Sequence, residues 1–281
     1  MSESGNMNDA HSRNPPPRPD EVVDSYKPAA IAELIQESGV AKARLGTLQT
    51  LTLAVLAGAF IAFGAMLFTT AVTDSGLGFG PARLLGGAAF SLGLILVVIA
   101  GAELFTGNNL IVMAWADRRI TGRQLLRNWV LVYAGNVVGA VATAVFVMWS
   151  GTLELGGGAV ARTALSIAKA KVALPFDEAL VRGILCNALV CLAVWLSMAS
   201  RQVSGKILAI MFPITAFVAL GFEHSIANLY FIPLGMMLDG GISVAGLVGN
   251  LVPVTIGNLI GGSLMVGLVY WIAYRYGSGG R

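Results

Sequence analysis

From Leu45 to Thr73 the chain carries no charged side chain, and apolar runs of this kind recur along its length. A bilayer core of about 30 Å needs roughly 20 helical residues to cross it. Backbone inside that core must satisfy its own amides and carbonyls, so such runs read as helices. The candidate crossings are 48–73, 84–115, 124–149, 176–199, 207–237 and 250–274, the second and fifth interrupted by polar residues. The expected fold class is an all-α membrane protein of six transmembrane helices.

Charge supports this reading. Only 12% of the residues are charged and 56% are hydrophobic, where a soluble domain carries about 25% charged residues. The net charge of +3 does not mark a nucleic-acid surface, because the basic residues flank the apolar runs. They crowd the termini and the loops near 116–127 and 200–206, against only Arg83, Arg162, Lys169 and Lys171 in the opposite loops, while Arg182 lies within a span. With six crossings, that bias puts both termini in the cytoplasm of a bacterial inner membrane.

The flanks are distinct from the six-span domain, expected at 47–275. Residues 1–27 are polar and contain Pro15-Pro16-Pro17, so they read as a disordered cytoplasmic tail with no signal peptide. Residues 28–46 set Ile31, Leu34 and Ile35 apart from Glu33 and Glu37, which suggests an amphipathic helix on the membrane surface. Residues 276–281 form a short cytoplasmic tail. Cys186 and Cys191 lie in an apolar run with no histidine beside them and read as buried thiols. The only histidines are His11 and His224, so neither a metal site nor a cofactor is expected.

The chain also repeats itself. "GAELFTGN" at 101–108 and "GFEHSIAN" at 221–228 share Gly-x-Glu-x4-Asn. Asn128, Asn136, Gly139 and Trp149 recur as Asn250, Asn258, Gly261 and Trp271, with spacings of eight, three and ten residues in both sets. Two halves of three spans each, about 47–150 and 175–275, force an inverted-topology repeat whose solute site lies near the midplane at the broken helices. Gly101, Gly107 and Gly221 permit unwinding there. Glu103 and Glu223 occupy matched positions and could accept backbone amides at the breaks; proton relay is the other reading of them. Half-helices starting at the breaks point positive ends at the centre, which suits an anion. A hydrolase reading of Glu223, His224 and Ser225 fails, since consecutive residues do not readily form a triad and no nucleophile elbow is present. No enzyme activity is expected.

With "CNALVCLAVW" and "PVTIGNLIGG" added to these two motifs, the segment from about 29 to 275 resembles the formate/nitrite transporter family. The resemblance implies homopentamers of aquaporin-like protomers, each with its own pore in membrane lipid, for small monovalent anions: formate, nitrite, hydrosulfide, and in some members acetate or lactate. It matches the family's pore histidine to His224 and the threonine facing it to Thr106. Lys171 matches the outer-vestibule lysine, Asn187 and Asn228 the pore asparagines, Phe90 and Phe217 the constriction aromatics, and Leu94 their aliphatic neighbour. The "ELFTG" stretch is like nitrite channels, whereas "NLVPVTIGNLIGGSLMVGLVYW" is closer to formate channels. Passage of formate with proton sharing at His224 is therefore expected, with His224 held by Thr106 and Asn228. A nitrite or hydrosulfide channel of the same family is the nearest alternative. A water or glycerol channel would also suit an inverted repeat, but no Asn-Pro-Ala pair occurs at either break.

Overall fold

The computed structural model describes residues 25–276; the tails expected at 1–27 and 276–281 fall, except for residues 25–27 and 276, outside it. The α-helices are, in order, α1 (Pro28–Ala43), α2 (Thr47–Val72), α3 (Phe79–Gly101), α4 (Val112–Ala116), α5 (Gly122–Trp149), α6 (Leu155–Val172), α7 (Phe176–Ala199), α8 (Val203–Ala219), α9 (Ser225–Leu238) and α10 (Val244–Tyr274). Among the described residues, α2, α3, α5, α7 and α10 are long and apolar enough to cross a membrane, and α8 and α9 are shorter apolar helices. The stretch 207–237, expected to be one interrupted crossing, is these two short helices.

Local chemistry sets the helix starts. Thr121 and Gln124 form a reciprocal capping box at α5, each accepting the other's backbone amide. Ser243 Oγ accepts the Gly246 amide at α10. The stops at two helix ends are glycines with left-handed backbone. Gly101 has φ of 84° and Gly221 has φ of 76°. A side chain would strain either position, so regular helix ends there. Gly107, by contrast, has no positive φ and opens a short 3-10 helix, Gly107–Ile111, that leads into α4.

α2 packs along α5, and α7 packs along α10. Without a hydrophobic drive between helices in lipid, close approach depends on small residues. A Cβ on Gly139 would strike the Val55 carbonyl, and one on Gly261 the Ile184 carbonyl. Gly139→Ala and Gly261→Ala should each therefore destabilise the purified protein by roughly 1–3 kcal/mol, as overpacking does. The check is the midpoint of thermal aggregation in detergent, which should fall for both variants and stay level for Gly240→Ala, where the added Cβ meets nothing.

α1 turns Ile31, Ala32, Ile35, Gln36, Gly39 and Ala43 into the protein. This buried face lies against the 3-10 helix and α4 after the first break, and against α7. Lys42, in the last turn of α1, is thereby carried to Glu103.

Candidate functional site

Each break leaves backbone groups without helical partners, and an asparagine from a neighbouring helix takes them. At the first, the Phe105 amide donates to Asn136 Oδ1 at 2.9 Å, while Asn136 Nδ2 donates to the Ala54 and Glu103 carbonyls at 2.7 and 2.9 Å. At the second, the Ser225 amide donates to Asn258 Oδ1 at 2.9 Å, and Asn258 Nδ2 donates to the Gly183 and Glu223 carbonyls at 2.8 and 3.0 Å. Both asparagines are fully buried. They are interhelical staples, as their residue type inside a membrane suggests.

That arrangement corrects the expectation for the two carboxylates. Glu103 and Glu223 accept side-chain donors rather than backbone amides. Lys42 Nζ lies 2.7 Å from Glu103 Oε1, and Asn108 Nδ2 donates to Glu103 Oε2 and to Asn128 Oδ1. Asn128 Nδ2 closes the ring on the Lys42 carbonyl. The second break repeats the ring: Lys171 Nζ sits 3.0 Å from both oxygens of Glu223, Asn228 Nδ2 donates to Glu223 Oε2 and Asn250 Oδ1, and Asn250 Nδ2 donates to the Lys171 carbonyl. Each carboxylate is only about 5% exposed. Burial of such a charge is tolerable because it is paired, and removing one partner of a buried pair costs roughly 3–5 kcal/mol.

The breaks meet across the chain at one contact. His224 Nε2 lies 3.0 Å from Thr106 Oγ1, with both residues buried. His224 also caps α9, its Nδ1 accepting the Ala227 amide at 3.1 Å. An amide can only donate, so Nδ1 is an acceptor; the neutral ring then holds its proton on Nε2 and donates it to Thr106 Oγ1. The Phe217 ring lies nearly parallel to the imidazole at 6.0 Å, and Phe90 meets Phe217 edge-on at 5.6 Å.

Two cavities flank this contact, and no residue lines both. One of about 220 Å³ is lined by Arg83, Phe90, Lys171, Arg182, Phe217, Glu223 and His224. The other, of about 480 Å³, is lined by Lys42, Leu94, Gly101, Glu103, Leu104 and Asn108. Phe90, Leu94, Leu104 and Phe217 are each under 4% exposed. These four buried apolar side chains lie at the edges of the two cavities, Phe90 and Phe217 on one and Leu94 and Leu104 on the other.

The sequence profile of the formate/nitrite transporter family matches residues 29–272. The chain belongs to this family. It is 43% identical over 275 residues to the formate channel FocA of Escherichia coli (strain K12), covering 91% of this chain and 96% of that one. It is also 43% identical over 263 residues to a probable formate transporter of Methanothermobacter thermautotrophicus, covering 88% and 93%. Among solved structures, a pentameric formate channel with formate bound matches with a TM-score of 0.75 and 35% identity, over 81% of this chain and 97% of that one. An FNT family ion channel matches at 0.79 and 31%, over 87% and 98%. With its apolar helices, this makes the protein a multi-pass membrane protein.

Several residues that the resemblance to this transporter family singles out come together: His224, Thr106, Phe90 and Phe217 around the contact, and Lys171 in the cavity beside it. Leu94 lines the opposite cavity. Asn187 and Asn228 line neither. Asn187 Nδ2 donates to the Thr106 and Asn258 carbonyls and to Asn109 Oδ1, so it holds the loop that carries Thr106. The Asn228 side chain serves the Glu223 ring and only its backbone amide reaches His224, donating to that residue's carbonyl at 2.9 Å, so the imidazole itself is held by Thr106 and the Ala227 amide. Lys169 points away: it pairs with Asp239 at 2.6 Å on the surface, and this hydrogen bond holds the Asp239 carboxyl below its ordinary range.

Sequence reading missed Lys42 and Arg83. Lys42 is the structural twin of Lys171, yet it lies 61 residues from its glutamate where Lys171 lies 52 from its own. Fixed-spacing comparison therefore does not find it.

Proposed function

We propose that the protein passes formate, and related small monovalent anions, through a pore within each protomer of a homopentamer in the bacterial inner membrane. The observation that carries this reading is the buried His224–Thr106 contact at the floor of a cationic cavity, in a chain 43% identical to a formate channel. The six crossings form two inverted halves, with the second and fifth crossings broken at Gly101 and Gly221. The twin Asn136/Asn258 staples and the twin Lys–Glu–Asn–Asn rings support that symmetry. Both termini lie in the cytoplasm, so the Lys171 cavity faces outward and the Lys42 cavity inward.

A bare anion does not cheaply cross the Phe90–Phe217 constriction, because desolvating a charge is costly. His224 presents Nε2–H where the anion would stop. Full transfer of that proton would leave an imidazolate unless Nδ1 took another, and the Ala227 amide occupies Nδ1. The imidazole therefore shares its Nε2 proton in a hydrogen bond while a proton from the wet cavity neutralises the solute. Formic acid then crosses the constriction and ionises on the far side. Thr106, on the opposite half, holds the ring in position and accepts from Nε2 between solutes.

The test is flux into proteoliposomes of the purified protein, comparing formate, nitrite, hydrosulfide and glycerol. Formate should enter well above protein-free vesicles, and glycerol should not. Glycerol uptake without anion uptake would overturn the reading; nitrite or hydrosulfide passing in place of formate would reassign the solute within the family.

A further inference from the structure

We propose that Arg83 is the residue that sets anion occupancy of the Lys171 cavity, and so the affinity of the pore from that side. The inference rests on the anion-channel reading above. The resemblance gives the anion-attracting role to Lys171, but the structure neutralises that charge: Lys171 Nζ is bonded to both oxygens of Glu223. Arg182, on the same cavity wall, is paired with Glu178 at 2.9 Å. Among the described residues, Arg83 is in no ion pair. Its guanidinium donates only to neutral oxygens, Nε to the Ala219 carbonyl at 2.9 Å and Nη2 to the Val218 carbonyl at 2.6 Å.

These contacts put a full positive charge where the solute must pass. Val218 follows the constriction residue Phe217, and both line the cavity with Arg83. A Cβ built on Gly221, the left-handed residue of the break, would stand 3.2 Å from Arg83 Nη2. The two cavities differ accordingly. The charged residues lining the Lys42 cavity are Lys42 and Glu103, which pair with each other. The Lys171 cavity has the Lys171–Glu223 pair, Arg182 paired with Glu178, and Arg83 as the positive charge left over. A low-dielectric recess lined by one sign of charge concentrates counter-ions. By capping the last carbonyls of α8, Arg83 also keeps this charge fixed at the break instead of free in solvent.

The competing view is that Arg83 is only a helix cap, and the measurement must separate the two. Formate influx is followed in proteoliposomes as a function of formate concentration, at low and high ionic strength, for wild type, Arg83→Lys and Arg83→Gln. Glutamine keeps an amide donor for the carbonyls and removes the charge. The half-saturating formate concentration should rise about three- to tenfold in Arg83→Gln at low salt. Maximal flux should change little, and Arg83→Lys should stay near wild type. High salt should raise the wild-type value toward that of Arg83→Gln and barely move the variant. Equal half-saturation and equal salt response in wild type and Arg83→Gln would overturn the proposal. If Arg83→Gln fails to fold, the salt response of wild type decides: a half-saturation indifferent to ionic strength overturns the proposal by itself. Wild type that passes nitrite but no formate refutes the solute reading alone, and the same comparison is then made with nitrite.

Discussion

Asn258→Leu should yield almost no folded protein in the membrane fraction, and Asn136→Leu should behave the same way. Leucine matches the side chain roughly in size but offers no hydrogen-bonding group. In Asn258→Leu it would orphan the Ser225 amide and remove a donor from the Gly183 and Glu223 carbonyls. Each unsatisfied buried group costs roughly 1–3 kcal/mol, and the bilayer core supplies no water to replace the lost partner. The total rivals the whole stability of an ordinary domain, about 5–15 kcal/mol. Size-exclusion chromatography of a fluorescently tagged detergent extract reads the outcome. A wild-type peak for both variants would mean that the breaks are held by something other than these two asparagines.

His224 should behave in the opposite way, with large loss of transport and little loss of fold. Its side chain makes two structural bonds, the N-cap to the Ala227 amide and one to Thr106 Oγ1, and replacing a cap residue costs roughly 0.5–2 kcal/mol. Asparagine also caps well, so His224→Asn should keep the size-exclusion profile of wild type. It lacks the imidazole Nε2–H that reaches Thr106 Oγ1. Positioned proton donors contribute about 10²–10⁴-fold to reaction rates; for a shared hydrogen bond during passage, formate influx should fall roughly tenfold or more. Thr106→Val should give a smaller loss, because it frees the ring without removing it. Full formate influx in a well-folded His224→Asn would remove the histidine from the mechanism.

Much of the site was legible in the sequence because the chain states part of it twice. Gly101 and Gly221, Glu103 and Glu223, Asn136 and Asn258 recur at matched spacings, and these residues hold the two breaks in the structure. His224 stood out as the member without a twin, Leu104 taking the matching place. What spacing did not convey was who pairs with whom. The carboxylates were expected to serve backbone amides, but asparagine staples took those amides and left the glutamates to the lysines. Lys42 escaped notice because α1 precedes the repeat and folds back onto it. Arg83 escaped because its partners are backbone carbonyls of a helix far along the chain, and no side-chain pattern in a sequence encodes those. The interruption expected within 207–237 was legible because polar residues and Gly221 stand in an apolar run, and the left-handed turn at Gly221 is where α8 and α9 part.

The most direct test is whether a proton travels with formate. Proteoliposomes carrying an internal pH dye and a membrane-potential dye are given a step of external formate, against protein-free vesicles that report diffusion of formic acid through lipid. Passage as the neutral acid predicts rapid protein-dependent acidification of the interior, faster as external pH is lowered, with no inside-negative potential, and loss of this response in His224→Asn. Formate influx that builds an inside-negative potential without acidifying the interior would show that the bare anion crosses the constriction, and would contradict the proton-sharing role of His224.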